Sequence, residues 1–321
     1  MTTDQAATFR GAAPGTERDF VGYGRTPPVA RWPGGAKLAL SFVMNYEEGS
    51  EYNYLDDGRN DIGSGITYVN RPDIRDLANE SSYEYGSRAG IWRLLRVFER
   101  HKIKVTFFTC AVAIERNPEV GAAIREGGHE PCGHGWRWEE PWTLSAEEEG
   151  SRIKRAVESI ERTCGERPYG WYSRYGPSER TRELLVREGG FIYDSNSYAD
   201  DIPYFVNVAD KRHLVVPYSH SYNDGRFAIQ PVWPSPSDWL ENCRSGIQLL
   251  REEGETHPKM ISLGLHSRWI GQASRAAALS ELIGWVQNLG DVWITRRIDI
   301  ARWWIDHQES FVRSGNPPPG H

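Results

Sequence analysis

The chain has 321 residues, 39% hydrophobic and 26% charged, with a formal net charge of −6. That length is enough for one large domain or two ordinary ones, and the composition is ordinary for a soluble globular enzyme. The negative charge without any basic run argues against nucleic acid as a partner, and no apolar run is long enough to cross a bilayer.

Residues 1–20, "MTTDQAATFRGAAPGTERDF", are polar and lack the apolar core of a signal peptide, so a flexible arm and a cytoplasmic location are expected. Residues 21–310 then read as one catalytic domain, and 311–321, with "SGNPPPGH", as a disordered tail. The first strand is "KLALSFVMNY" (37–46), which runs straight into Glu47 and Glu48. The polar stretch 56–82 is too long for a plain connection and is expected to be a lid or an oligomer contact.

"SRAGIWRLLRVFERH" places Ile91, Leu94, Leu95 and Phe98 on one helical face, followed by a strand at "IKVTFFTC" (103–110). "NPEVGAAIREGG" is a short helix with Pro118 at its start and Gly127 at its end. Weaker strand patterns follow at "GHEPCGH", "GWYSR", "GFIYDS" and "DVWIT", with stronger ones at "HLVVPYS" (213–219) and "MISLGLHS" (260–267). Helical patterns alternate with them at "SAEEEGSRIKRAVESIERTCG", "SERTRELLVREGG" and "ASRAAALSELIGWVQNLG". In the first of these Ser145 is the N-cap candidate. Seven or eight such alternations favour a parallel sheet wrapped by helices, either a (β/α) barrel or an open doubly wound sheet.

In such folds, reactive groups collect where strands end. Glu47, Glu48, His134, Tyr172, Arg174, Asp194 and His266 all fall at such ends. Any one of them has a plain reading. A lone Glu there is usually solvated, a His behind an apolar strand is often a core residue, and most of the 13 Trp fit core patterns. Trp136 and Trp138 stand apart because they follow His134 in a glycine-containing loop. Cys110, Cys132, Cys164 and Cys243 are too scattered for a disulfide framework or a zinc knuckle.

The stretch "SRAGIWRLLRVFERHKIKVTFFTCAVAIERNPEVGAAIREGGHEPCGHGWRW" resembles the NodB-homology region of polysaccharide deacetylases, and the likeness continues in order over about residues 35–305. It implies a single irregular (β/α) barrel and hydrolysis of amide bonds. "NYEEG" (45–49) stands where that family has T-F-D-D-G, which implies Glu47 as the catalytic base and Glu48 at a metal-ligand position. His134 is retained, but Trp138 occupies the place of the second metal-binding His. "WYSRYG" (171–176) replaces R-P-P-Y-G, and His266 takes the position of the general acid. Glu48 and His134 are thus the remaining candidates for a divalent metal such as zinc, an incomplete ligand set, and no cofactor is expected.

"GYGRTPP", "WPGGA", "YEYGSRAG", "YDSNSYADD" and "RRIDIARWW" further resemble the allantoinases and cyclic-imide hydrolases within this family, described as working without metal. The resemblance implies a small cyclic ureide or imide as substrate and a homotetramer or homodimer. "YSHSYNDGRF", with His220, is less typical of them. A metal polarises an unactivated amide and lowers the pKa of bound water to roughly 7. A carbonyl whose leaving nitrogen carries a second carbonyl needs less help, so general acid–base catalysis can serve. The expected roles are Glu47 as base, with its pKa raised by Glu48 and burial, His266 as acid, and His134 as water- or oxyanion-binder. Glu48, Trp138, Tyr172, Arg174 and Asp194 are the expected substrate-binding residues. The competing reading is a metal-dependent deacetylase of N-acetylated sugars.

Overall fold

The computed structural model describes residues 12–61, 69, 71, 73–228 and 233–311. The tail "SGNPPPGH", the first half of the N-terminal arm and the middle of the 56–82 stretch lie outside the described residues.

Among the described residues, nine strands form one curled sheet: β1 (Leu38–Tyr46), β2 (Thr106–Thr109), β3 (Glu130–Gly133), β4 (Gly170–Trp171), β5 (Tyr193–Asp194), β6 (Tyr204–Val208), β7 (Lys211–Val215), β8 (Lys259–His266) and β9 (Val292–Ile294). Their order is β6-β7-β5-β4-β3-β2-β1-β8, with β9 also against β1. All pairings are parallel except the β6–β7 hairpin. This is the irregular (β/α) barrel implied by the resemblance, with helices outside the sheet. Among the described residues, no helix is long and apolar enough to cross a membrane.

β1 is buried along its whole length, so both of its faces carry apolar side chains. Leu38, Leu40, Phe42, Met44 and Tyr46 join the cluster that packs under the helices. Ala39 and Val43 join the other cluster, together with Phe108, Tyr172, Tyr193 and Leu214. One face of a curled sheet can bring residues of five strands together only on its concave side, so this second cluster fills the inside of the curl. The alternation of a strand thus assigns odd positions of β1 to the interior and even ones to the helix side.

The Ser145 cap is present: Glu148 N donates to Ser145 Oγ at 3.2 Å and Ser145 N to Glu148 Oε2 at 2.8 Å. The sequence patterns omit the helix Pro236–Glu253, although Ser235 and Asp238 form a capping box ahead of it. They also omit β6, because its hairpin turns through Ala209 at φ 50°, without the glycine that would mark it. The 56–82 stretch ends in a helix, Leu77–Tyr85. Asp61 is buried and accepts from Arg174 Nη2 at 2.9 Å and Asn79 Nδ2 donates to its carbonyl at 2.6 Å, which ties the stretch to the barrel.

Candidate active site

The strand register sets the site. Tyr46 pairs with Thr109, Thr109 with Gly133, and Gly133 with Trp171. The next residue on each chain therefore stands in one row: Glu47, Cys110, His134 and Tyr172. On the other side of β1, Asn45 pairs with His266. Three of the expected catalytic side chains meet for this reason: His134 Nε2 lies 3.2 Å and His266 Nε2 3.5 Å from the same oxygen, Glu47 Oε1. They line a cavity of about 280 Å³ with Asn45, Trp138 and Tyr172, roofed by Tyr175, His220, Asn223 and Trp269.

Both imidazoles are fixed from behind. His134 Nδ1 faces the Tyr172 carbonyl oxygen at 2.8 Å, which only accepts, so Nδ1 carries a proton. A bond from Nε2 to Glu47 then requires the imidazolium form, while the neutral ring presents a lone pair there. The His134 ring also stacks on Tyr172, with centroids 5.4 Å apart and planes at 10°. His266 Nδ1 lies 2.6 Å from Asp224 Oδ1, while Asp224 Oδ2 accepts from His266 N at 2.8 Å and Ile270 N at 3.1 Å.

Burial would push the Glu47 carboxyl up, but Arg268, His266 and His134 outweigh it and hold the group well below the usual carboxylate range. This reverses the expectation of a raised value: the dominant neighbour is not Glu48 but the Arg268 guanidinium, whose Nη2 lies 2.8 Å from Glu47 Oε2. Burial acts against charge on His266, yet Glu47 and Asp224 raise it to about 9. The resting pair at neutral pH is therefore a carboxylate beside an imidazolium, a proton acceptor and a proton donor at one carbonyl's width.

Three of the expected binding residues do not reach the cavity. Glu48 stands in the turn beyond the end of β1 and does not line the cavity. Its Oε2 accepts from Glu47 N at 3.1 Å and its Oε1 from Arg268 N at 3.2 Å. A Cβ on Gly86 would stand 2.6 Å from Glu48 Oε1, so only glycine lets the helix approach so closely. Asp194 shares the row of Trp171, one residue before the interior position, and points outward to Arg182 Nε at 2.8 Å and His213 Nε2 at 3.0 Å. The Arg182 guanidinium and the His213 hydrogen bond hold it far below the usual range against its burial, and it does not line the cavity.

Arg174 turns back instead of lining the cavity. It donates to the Trp138 carbonyl at 2.6 Å and to Asp61 at 2.9 Å, and its guanidinium lies 3.7 Å from the Trp138 ring centroid. It positions Trp138 rather than substrate. Arg174→Met is accordingly expected to raise KM about tenfold with a smaller loss in kcat. It should also cost about 3–5 kcal/mol of stability by breaking the buried Arg174–Asp61 pair. Steady-state kinetics and urea unfolding measure both, and an unchanged KM would remove Arg174 from the pocket wall.

The residues do not fit a metal. Of the family's ligand positions only His134 faces the cavity: Glu48 is turned away behind Arg268, and Trp138 lines the wall with a side chain that offers no lone pair. Among the described residues, no three His, Cys, Asp or Glu side chains are grouped to hold a metal ion. Asp224 and Arg268 are the working residues that the sequence reading missed. Arg268 lies two positions beyond His266 at a strand end, and the acid pair without a cation was the available signal.

Comparison with known proteins agrees with this architecture. The family model described as Polysaccharide deacetylase matches residues 80–193. A Schizosaccharomyces pombe protein described as "Putative polysaccharide deacetylase" is 34% identical over 310 residues, covering 89% of this chain and 96% of that one. The crystal structure of a "probable Polysaccharide deacetylase" from Pseudomonas aeruginosa PAO1 shares 42% identity and a TM-score of 0.86, covering 92% and 99% of the two chains. That of Puue Allantoinase shares 41% identity and a TM-score of 0.85, covering 91% and 97%. By sequence over nearly its whole length and by fold, the chain belongs to the polysaccharide deacetylase family, as a deacetylase-family hydrolase.

Proposed function

We propose that this protein opens a small cyclic amide, an allantoin-like ureide or a cyclic imide, by general acid–base attack of water. The observation that carries the reading is the pairing of Glu47 and His266 at one cavity floor, with Trp138 where a metal-binding His would stand. The likeness to a solved allantoinase supports the same reading. A cavity of about 280 Å³ lies at the lower end of small-molecule pockets, roughly 300–1,000 Å³, and suits a single ring better than a sugar chain.

Water enters the cavity beside Glu47, whose Oε1 lies between the two imidazoles and whose Oε2 is held by Arg268. Its oxygen bonds to the ring carbonyl carbon as Glu47 takes its proton. His134 turns its Nε2 to the same place and orients the attacking water. The tetrahedral adduct then collapses, the ring C–N bond breaks, and the His266 proton passes to the departing nitrogen. Loss of that proton removes one of the charges holding Glu47 down, so the base strengthens as the acid is spent. The product is an open-chain carboxylic acid, which ionises.

The reaction needs no metal in this reading. Purified protein should turn over at least one member of a panel of cyclic ureides and imides, at an unchanged rate after dialysis against a chelator. Activity only on an N-acetylated sugar, restored by added zinc, would replace this reading with the deacetylase one.

A further inference from the structure

Two adjacent buried carboxylates need a cation, and the fold supplies one. Arg268 is fully enclosed, with Nη2 2.8 Å from Glu47 Oε2 and Nη1 3.5 Å from Glu48 Oε1. Its backbone N–H donates to the same Glu48 oxygen at 3.2 Å. Three rings close around the guanidinium: Trp269 at 4.2 Å, Tyr83 at 4.8 Å and Trp138 at 5.3 Å from their centroids. Its Nε and Nη2 are buried without a well-aligned hydrogen-bond acceptor among the described residues. The side chain is therefore held mainly by charge and ring faces, with Nη1 donating to Glu48 Oε1 at 3.5 Å.

That is an expensive way to fill a core. An apolar residue of similar volume in place of a buried ion pair is often neutral or stabilising. The arrangement makes sense if the charge serves the neighbouring carboxylate. Glu48 cannot enter the cavity, because it stands in the turn beyond β1 and is wedged against Gly86. What it can do is anchor the guanidinium from behind.

We infer that Arg268 is the positioning residue of this site, its guanidinium standing in for a bound cation. Glu48 anchors it, and it fixes the Glu47 carboxylate with Oε2 held by the guanidinium and Oε1 between the two imidazoles. The second acid of "NYEEG" thereby serves as an anchor for arginine rather than as a ligand or a contact to substrate. The kinetic consequence rests on the cyclic-amide reading above; the placement of charge does not.

The test uses the full chain with Arg268→Met, Arg268→Lys and each of these combined with Glu48→Gln. Arg268→Met should lower kcat by about 100-fold with little change in KM, since only the transition state feels the misplaced base. Arg268→Lys, which keeps the charge but not the two-pronged geometry, should recover part of that loss. In thermal melts, adding Glu48→Gln to Arg268→Met should raise the midpoint, because the stranded anion is removed; adding it to Arg268→Lys should lower it. A wild-type kcat in Arg268→Met, a Lys variant no better than Met, or a Glu48→Gln change that shifts both backgrounds alike would each overturn the inference. If wild-type protein opens no cyclic amide, the proposed reaction fails, while the melting midpoints still decide the role of Arg268.

Discussion

Glu47→Gln is expected to lower kcat by about 10³-fold, within the range of roughly 10²–10⁴ for a lost general base. The substitution keeps the side chain's shape and its contact with both imidazoles, but an amide cannot take a proton from water. It also removes an anion from beside His266, so the acid loses part of the charge that keeps it protonated. Both halves of the mechanism suffer from one change. The fold should persist, because Arg268 retains Glu48 as a partner. Glu47→Asp makes a sharper case: it keeps the charge but withdraws the carboxylate by one methylene from nitrogens already 3.2 and 3.5 Å away. It should lose nearly as much activity. Single-turnover rates, with circular dichroism to confirm folding, measure the effect. A Gln variant with more than a few per cent of wild-type activity would pass the base role to His134, whose neutral ring presents its Nε2 lone pair at the same place.

Most of the barrel was legible, because β1, β2 and β8 are apolar runs bounded by helical patterns. The site was legible only to the level of strand ends. Strand alternation, carried one residue past each strand end, separates most of what the structure keeps from what it rejects: Glu47, His134, Tyr172 and His266 occupy interior positions and Asp194 an outward one, while Glu48 lies in the turn beyond β1. Arg174 escaped that rule because it lies beyond the end of β4, where the chain is free to turn back. Asp224 could not be found from spacing, since it stands in a short turn 42 residues ahead of His266 and meets it only through the fold. Arg268 carried a signal that physical reasoning could have used. Two adjacent carboxylates that are both to be buried call for a nearby cation.

The pH profile should be flat through neutrality and fall on the alkaline side as His266 loses its proton, near pH 9. The acid limb should lie well below pH 5, because Glu47 is held under the ordinary carboxylate range. Glu51 rises to about 7 through burial, but it accepts from Gly49 N at 2.6 Å and does not line the cavity, so an acid limb near 7 would reveal coupling through Glu48 and Arg268. Asp224→Asn isolates the cause of the alkaline limb. It removes one of the two anions that raise His266 and leaves in place Glu47, 3.5 Å away, and Arg268 behind Glu47. The limb should move toward neutral pH by about a unit or more, with a lower plateau because the ring's orientation is less fixed. Stability follows the same proton. His266 is raised from 6.5 to about 9 in the folded state, so its contribution is complete below the unfolded value and is lost as pH rises through 9. Asp224→Asn should therefore flatten the decline in melting temperature between pH 7 and 10. An alkaline limb that stays in place in the Asn variant, or activity that keeps rising above pH 9, would mean that His266 works as a neutral base and not as the acid that frees the ring nitrogen.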